Sequence, residues 1–143
     1  MEQISKETLI RHAFEAQKKA YAPYSGFQVG AALLTKEGRI YGGCNIENAS
    51  YGACNCAERT AFFQAVYQGE RNFSAIVIVG KPVQAEKFDY CAPCGICRQV
   101  MSEFCDPKEF QIILAVSESD YQVYSLSELL PLGFTGSSLK EKD

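Results

Sequence analysis

Several residue types on which many enzymes depend are scarce in this chain. Its 143 residues include one histidine, two methionines and no tryptophan. The single histidine, His12, lies in a helical pattern and has no partner nearby in the sequence that would suggest a Ser-His-Asp or Cys-His mechanism. We therefore predict that His12 is a surface residue without a catalytic role, and that the chain does not use either of these mechanisms.

Three further absences narrow the class of protein. The net charge is −3 and no basic stripe is visible, which argues against a polynucleotide-binding protein. No apolar run approaches the ~20 residues that span a bilayer, and residues 1–3 do not begin a signal peptide. We expect a cytoplasmic protein that forms a single domain over residues 1–143, with a loose polar tail at residues 135–143.

Cysteine, in contrast, is abundant. The chain has seven cysteines, and their odd number together with the expected reducing compartment argues against a disulfide framework. Two motifs contain three of them: residues 56–59 read Cys-Ala-Glu-Arg, and residues 93–99 read Pro-Cys-Gly-Ile-Cys-Arg-Gln. Clustered cysteines in such a compartment indicate a metal site, and the other four are interpreted as small buried apolar residues.

The two motifs together predict a catalytic zinc site. Three thiolates, from Cys56, Cys94 and Cys97, can hold Zn²⁺ tetrahedrally and leave the fourth position open to water. Glu58, two residues from a ligand, can take a proton from that water and pass it to a leaving amine. Cys-x-Glu followed by Pro-Cys-x-x-Cys is the signature of zinc nucleobase deaminases.

A neighbouring cation is expected to offset the charge of the thiolates. Three thiolates on Zn²⁺ leave a net negative charge, which would raise the pKa of the bound water. We predict that Arg59, one helical turn from Cys56, donates hydrogen bonds to the ligand sulfurs. Arg98 is a second candidate for this role, and a plain surface arginine is the alternative for Arg59.

A closed, structural zinc site is the main competing interpretation. Cys91 or Cys54 could supply a fourth thiolate, and the chain could then be a binding module. A helix that begins at Cys94 would leave Cys91 in the preceding loop, and a structural site has no use for Glu58. Both arguments favour the open site.

The order of apolar patterns predicts an α/β fold. In the middle of the chain a helix, a strand, a helix and a strand alternate, which indicates parallel strands with right-handed crossovers. The first two strands form an antiparallel hairpin on the same sheet. Helices are predicted to begin at Ser5, Cys56, Cys94 and Ser125, and strands at residues 27–33, 40–44, 73–79, 110–116 and 121–124.

A polar loop precedes the first zinc motif. Asn45 and Glu47 lie two residues apart in it and are able to hydrogen-bond vicinal hydroxyls. An ordinary solvated loop is the alternative, but the position directly before Cys56 favours a binding role.

These motifs resemble those of the small, homotetrameric cytidine deaminases over roughly residues 5–134. The matching stretches are residues 23–32, 45–51, 56–61, 93–99 and 129–134. The resemblance implies a three-layer α/β/α fold, with helices on both faces of a mixed five-stranded sheet. It also implies one Zn²⁺ per subunit and a homotetramer whose active sites are shared between subunits. The implied reaction, part of pyrimidine salvage, converts cytidine and deoxycytidine to uridine and deoxyuridine and releases ammonia.

The same resemblance assigns roles to binding residues. Phe27 would line the base pocket, and Asn45 and Glu47 would hold the ribose. Ala49 and Tyr51 would contact a substrate in a neighbouring subunit. Phe134 would cover the pyrimidine of a neighbour, although packing on its own subunit is the alternative for this aromatic. Ala92 departs from the serine of the family, and its backbone carbonyl is expected to meet the departing amine.

Other deaminases compete with this interpretation. The blasticidin S deaminases share the zinc motifs and the size of the chain, but the pair Asn45 and Glu47, together with Phe134, favours cytidine. Nucleic-acid-editing deaminases fit less well because the chain is acidic.

Overall fold

The computed structural model describes residues 3–139, which form a mixed five-stranded sheet with helices on both faces. The strand order is β2-β1-β3-β4-β5; β3 and β4 are parallel and the other neighbours are antiparallel. The elements are α1 (Lys6–Gln17), β1 (Phe27–Thr35), β2 (Ile40–Cys44), α2 (Ala57–Tyr67), β3 (Phe73–Pro82), α3 (Gly95–Phe104), β4 (Gln111–Ala115), β5 (Tyr121–Ser125) and α4 (Leu126–Leu129).

The predicted starts of the helices are confirmed. Ser5, Cys56, Cys94 and Ser125 are the N-caps of α1, α2, α3 and α4. The third strand is longer than expected and continues to Pro82, because β1 pairs with β3 along its whole length. The last three residues of β3 are Gly-Lys-Pro, which are not typical of a strand. The extension depends on pairing with β1, which lies far away in the chain.

The two faces of the sheet carry separate hydrophobic cores, as a three-layer α/β/α fold requires. On one face α1 places Leu9, Ile10 and Ala13 against alternate residues of β1, β3 and β4. On the other face α2, α3 and α4 pack against the remaining residues of the same strands. The buried side chains of this second core include Ala61, Phe62, Ile76, Ile78, Met101, Phe110, Ile112 and Leu126.

Two glycines allow α1 and α2 to lie directly on the sheet. A Cβ added at Gly30 would lie 2.2 Å from the carbonyl oxygen of Ala13 in α1. A Cβ at Gly43 would lie 2.5 Å from the carbonyl oxygen of Ala57, the first residue of α2. Backbone cannot yield to such contacts, so Gly43 fixes the start of α2 close to the end of β2.

A polar cluster closes the loop that follows α2. The buried carboxylate of Glu70 accepts hydrogen bonds from the Nη2 of Arg39 and the hydroxyl of Tyr41, both at 2.8 Å. The Arg39 guanidinium and the Tyr41 hydroxyl lower the pKa of Glu70 to about 2. The cluster attaches the C-terminal end of α2 to the β1–β2 hairpin.

The ends of the chain are described only in part. Within the expected loose tail at residues 135–143, Gly136–Ser138 form a single 3₁₀ turn, and residues 140–143 lie outside the described residues, as do residues 1 and 2. Among residues 3–139, no helix combines the length and the apolar character needed to cross a bilayer.

Candidate metal centre and active site

The three predicted ligands meet where α2 and α3 begin. Their sulfurs all lie within 4.8 Å of one another. The Sγ of Cys94 is 3.7 Å from that of Cys56 and 3.5 Å from that of Cys97. Sulfurs around a tetrahedral Zn²⁺ with Zn–S bonds of about 2.3 Å are separated by about 3.8 Å. The donor set therefore fits zinc and provides three of its four ligands.

The N-termini of the two helices place backbone amides and partial positive charge beside these sulfurs. Free backbone amides and the partial positive charge of a helix start stabilise a nearby anion. The N–H of Cys97 points to the sulfur of Cys94 at 3.5 Å. A hydrogen bond from the Cys97 thiol, together with Arg59, lowers the pKa of Cys56 to about 5, and the same pairing raises the pKa of Cys97.

Glu58 occupies the first turn of α2 and is almost fully enclosed. Its exposed fraction is 4%. Burial raises the pKa of its carboxyl to about 7, and the negative charge of Cys56 adds to this effect. A carboxyl that titrates near neutrality and lies beside the metal ligands is suited to both accept and donate a proton.

The two arginines next to the ligands have different partners. The Nη2 of Arg59 donates to the Sγ of Cys56 at 3.4 Å, which agrees with the predicted contact to a ligand sulfur. Its buried Nε has no hydrogen-bond partner among the described residues. Arg98, the second candidate, instead donates to the carbonyl oxygens of Pro93 and Leu129, both at 2.8 Å. Arg98 therefore joins α3 to α4 and does not contact the sulfurs.

A fourth thiolate is absent from this group. Across residues 3–139, the only cluster of this kind comprises Cys56, Cys94 and Cys97. The Sγ of Cys54 accepts a hydrogen bond from the N–H of Asn48 at 3.3 Å. Cys91 packs against the core of the α2 face. This geometry supports an open site and not the closed, structural alternative.

A cleft of about 350 Å³ opens beside the ligands. It joins the polar loop after β2 to the metal site, as the position of that loop in the sequence suggested. The residues that line it include Asn45, Glu47, Tyr51, Cys56, Arg59 and Cys94.

The predicted ribose pair is held in place by the chain itself. The Oδ1 of Asn45 accepts from the N–H of Val29 at 2.9 Å. The Oε1 of Glu47 accepts from the N–H groups of Tyr24 and Ser25 at 2.9 and 3.0 Å, and the Ser25 hydroxyl donates to the other carboxylate oxygen. That hydroxyl lowers the pKa of Glu47, so the side chain is an oriented anion. In the sequence, Tyr24 and Ser25 belong only to the matching stretch at residues 23–32, and nothing there indicates their contact with Glu47.

Of the other predicted binding residues, Tyr51 lines the cleft, whereas Phe27, Ala49 and Phe134 are not among its lining residues. Ala49 is exposed, as are 76% of Tyr51 and 58% of Phe134. The carbonyl oxygen of Phe134 accepts from the Nε2 of Gln99 at 2.7 Å, which ties the C-terminal segment to α3. Phe27 is 36% exposed, and its ring lies over Gly80 in β3.

This combination of fold and site defines a class of protein. A mixed sheet that brings three thiolates and one buried carboxylate together at two helix starts is the arrangement of a zinc-dependent nucleobase deaminase.

Comparison with known proteins agrees with this assignment to the zinc-dependent deaminases. The sequence model for the cytidine and deoxycytidylate deaminase zinc-binding region matches residues 3–113. A cytidine deaminase of Halalkalibacterium halodurans is 46% identical over 141 residues, covering 96% of this chain and all of that protein. One from Sporosarcina psychrophila is 45% identical and covers 93% of each chain. The crystal structure of a Burkholderia pseudomallei cytidine deaminase is 48% identical, with a TM-score of 0.82 over 92% of this chain and 100% of that one. The chain belongs to the cytidine and deoxycytidylate deaminase family, and its metal is zinc.

Proposed function

We propose that this chain catalyses the zinc-dependent hydrolysis of cytidine and deoxycytidine to uridine and deoxyuridine, with release of ammonia. The observation that carries the proposal is the group of Cys56, Cys94 and Cys97 with the buried Glu58 beside it. The close relatives that are named cytidine deaminases support the choice of substrate.

The side chains of the site divide the work of the reaction. Zn²⁺ held by the three thiolates supplies a Lewis acid for hydrolytic attack at C4 of the pyrimidine. The carboxylate of Glu58 accepts the proton of the attacking water and returns it to the departing amine. Its burial keeps that proton from exchanging with bulk solvent during turnover. The guanidinium of Arg59 withdraws charge from the Cys56 sulfur through its hydrogen bond.

Nucleoside binding is assigned to the cleft beside the metal site. Asn45 and Glu47 hold the ribose hydroxyls, and their contacts with β1 and the Tyr24–Ser25 turn fix them before substrate arrives. Phe27 lines the base pocket. The carbonyl of Ala92 receives the departing amine, a role that a change of side chain from serine to alanine leaves intact.

The active form is proposed to be a homotetramer with active sites shared between subunits. Ala49 and Tyr51 contact the substrate of a neighbour, and Phe134 covers its pyrimidine. Exposed aromatic and aliphatic surface supports this assembly, since such side chains are enriched in interfaces. Light scattering should give four times the 15.8 kDa mass of the chain, and a monomer would contradict the proposal. The most exposed large apolar residues are Tyr51, Tyr67, Leu132 and Leu139.

The cellular assignments follow from the same proposal. We infer a role in pyrimidine salvage, in the cytoplasm, for a single domain that comprises residues 1–143. The support for one domain is a single sheet whose strands run from Phe27 to Ser125. The support for salvage is the nucleoside substrate itself.

Release of ammonia from cytidine by the purified protein is the decisive measurement. Turnover should disappear on chelation and return when zinc is added. Cytidine and deoxycytidine should both lose their characteristic ultraviolet absorbance as uridine and deoxyuridine form. A protein that contains zinc but does not deaminate cytidine would contradict the proposal and direct attention to other small-molecule aminohydrolases.

A further inference from the structure

Three side chains converge on Gly80 near the carboxyl end of β3. Successive side chains of a strand alternate between its faces, so Gly80 shares the α2 face with Ile76 and Ile78. A Cβ added at Gly80 would lie 3.0 Å from the Cε1 of Phe27 and 3.2 Å from both the Sγ of Cys91 and the Cγ2 of Val29. We call Phe27, Val29, Gly80 and Cys91 the Gly80 cluster.

The missing side chain of Gly80 sets how closely this cluster packs. Contacts of 3.0 and 3.2 Å are tighter than ordinary van der Waals contact, so an alanine would force its neighbours to move by a few tenths of an ångström. The atoms that must move belong to side chains and not to backbone. The position therefore controls the placement of the Phe27 ring and the Cys91 thiol without disturbing the strand.

The cluster borders the reacting groups. Val29 and Cys91 pack against the same hydrophobic core as the ligands Cys56 and Cys97. The N–H of Val29 also donates at 2.9 Å to the Oδ1 of Asn45, which lines the cleft. Burial raises the pKa of Cys91 to about 11. The thiol is therefore neutral. Among residues 3–139 it has no hydrogen-bond partner, and it packs against apolar side chains. Val29 and Cys91 are partly buried and Phe27 is 36% exposed, so together they present an apolar wall beside the metal site.

We propose that the Gly80 cluster receives the C5–C6 edge of the pyrimidine and limits the substituents that the enzyme accepts at C5. The inference rests on the proposed deaminase function, which places C4 at the thiolates and Glu58. The N3 and amine edge of cytosine is polar and needs the carboxylate, whereas the edge on the other side of C4 is apolar. An apolar wall beside the metal site is complementary to that second edge.

The test compares cytidine with 5-methylcytidine, whose deamination gives 5-methyluridine. The measured quantity is the ratio of kcat/KM for cytidine to kcat/KM for 5-methylcytidine. Cys91→Ala removes one atom from the wall and should lower this ratio about ten-fold, the low end of what one methyl group is worth in a pocket. Gly80→Ala, and independently Cys91→Leu, should raise the ratio, mainly through KM for 5-methylcytidine. The Gly80→Ala/Cys91→Ala double variant should return towards the wild-type ratio.

Matched variants separate specificity from stability. Cys105→Ala also removes a buried thiol sulfur, but from the core, and should leave the ratio unchanged. Gly42→Ala adds a Cβ that meets its nearest atom at an ordinary 3.7 Å and should be equally neutral. Zinc content is measured in every variant, and Cys91→Ala should retain it.

The outcomes distinguish this inference from the function on which it rests. Unchanged ratios in Cys91→Ala and Cys91→Leu would overturn the inference while cytidine turnover by the wild type upholds the deaminase. Absence of rescue in the double variant would also overturn it. If Gly80→Ala does not fold, the two Cys91 variants decide alone. A wild-type protein that does not turn over cytidine would instead refute the proposed function.

Discussion

Two pairs of helices in this molecule begin in different ways. At the starts of α1 and α4, the hydroxyls of Ser5 and Ser125 accept hydrogen bonds from the N–H three residues later, at 3.1 and 3.2 Å. At the start of α2, Cys56 makes no such bond, and Cys94 of α3 has only a 3.5 Å contact from sulfur to N–H. The same structural position thus serves helix stability in one pair and metal binding in the other.

The difference shows how the fold supports a chemically specialised helix start. A serine cap contributes about 1 kcal/mol to a helix, which α2 forgoes at Cys56. In return its free amides and partial positive charge are available to thiolates. The helix is held instead by its contact with Gly43 at one end. At its other end it is held by the hydrogen bonds of Glu70 with Arg39 and Tyr41.

Replacing a cysteine at a helix start with the serine found at the other starts should have the largest effect on zinc binding and turnover. Cys56→Ser gives α2 a better helix cap but removes a thiolate ligand, so zinc binding and cytidine turnover should both be lost while the chain stays folded. Metal analysis, ammonia release and circular dichroism together measure this outcome. Cys44→Ser is a suitable control because Cys44 lies outside the metal group. Full zinc content in Cys56→Ser would contradict the assigned ligand set.

Removal of the Glu58 carboxylate should have the second-largest effect on turnover. Glu58→Gln keeps the size of the side chain but prevents proton transfer, so kcat should fall by about 10²–10⁴-fold. Zinc content should remain that of the wild type, because Glu58 is not a ligand. A near-normal rate in a zinc-loaded Glu58→Gln protein would refute the mechanism.

Loss of the cation beside the sulfurs should have an intermediate effect. Arg59→Gln removes the donor to Cys56, and turnover should fall about 10–100-fold, more than zinc content does. Arg98→Gln serves as a comparison, since Arg98 contacts only carbonyl oxygens and its loss should act on stability. Equal turnover in wild type and Arg59→Gln would show that Arg59 does not assist the reaction.

The opposite end of α2 allows a test by pH. The pKa of Glu70 is lower in the folded chain, about 2, than the ~4.3 of a free glutamate. Its ionisation therefore stabilises the fold above about pH 4.3, and this contribution is lost as the pH falls towards 2. Glu70→Gln should lower the melting temperature of metal-free protein most at pH 7 and least at pH 3. Replacing the exposed Glu103 with Gln should leave the melting temperature unchanged at both pH values. A decrease in melting temperature for Glu70→Gln that does not depend on pH would contradict this account.

The smallest expected effect belongs to an ordinary cap. Ser5→Ala should lower the free energy of unfolding by about 1 kcal/mol, because the N–H of Thr8 loses its acceptor. Kinetic constants for cytidine should not change, since α1 lies on the face of the sheet opposite the site. Denaturant unfolding gives the first quantity. A change in KM would mean that the α1 face communicates with the cleft.

Local signals made much of this architecture predictable. The helix starts at Ser5 and Ser125 carry a capping serine, those at Cys56 and Cys94 are followed by an apolar period, and the structure confirms all four. Because the segment between Cys56 and Cys94 holds one helix, one strand and one loop, and the two motifs match a known zinc signature, the meeting of their cysteines could be anticipated.

Features that depend on distant partners were not predictable. Both arginines next to the ligands are candidates in the sequence for contact with the sulfurs, Arg98 second to Arg59, and only the position of α4 shows that Arg98 is engaged elsewhere. Likewise, the turn at Tyr24 and Ser25 fixes Glu47 from more than twenty positions away along the chain. The predicted roles of Asn45, Glu47, Phe27, Ala49, Tyr51 and Phe134 towards substrate stay predictions.

The contact between Gly43 and α2 also restricts the distance between base and sugar that a substrate can have. β2 ends one residue after Gly43 and leads directly into Asn45 and Glu47, while α2 begins with the residues that serve C4. The residues proposed to bind the sugar and those proposed to act at C4 are therefore held at a fixed separation by main-chain packing. Nucleosides with an inserted linker between base and sugar would span the wrong distance, and a redesigned enzyme for them would need a longer connection between β2 and α2.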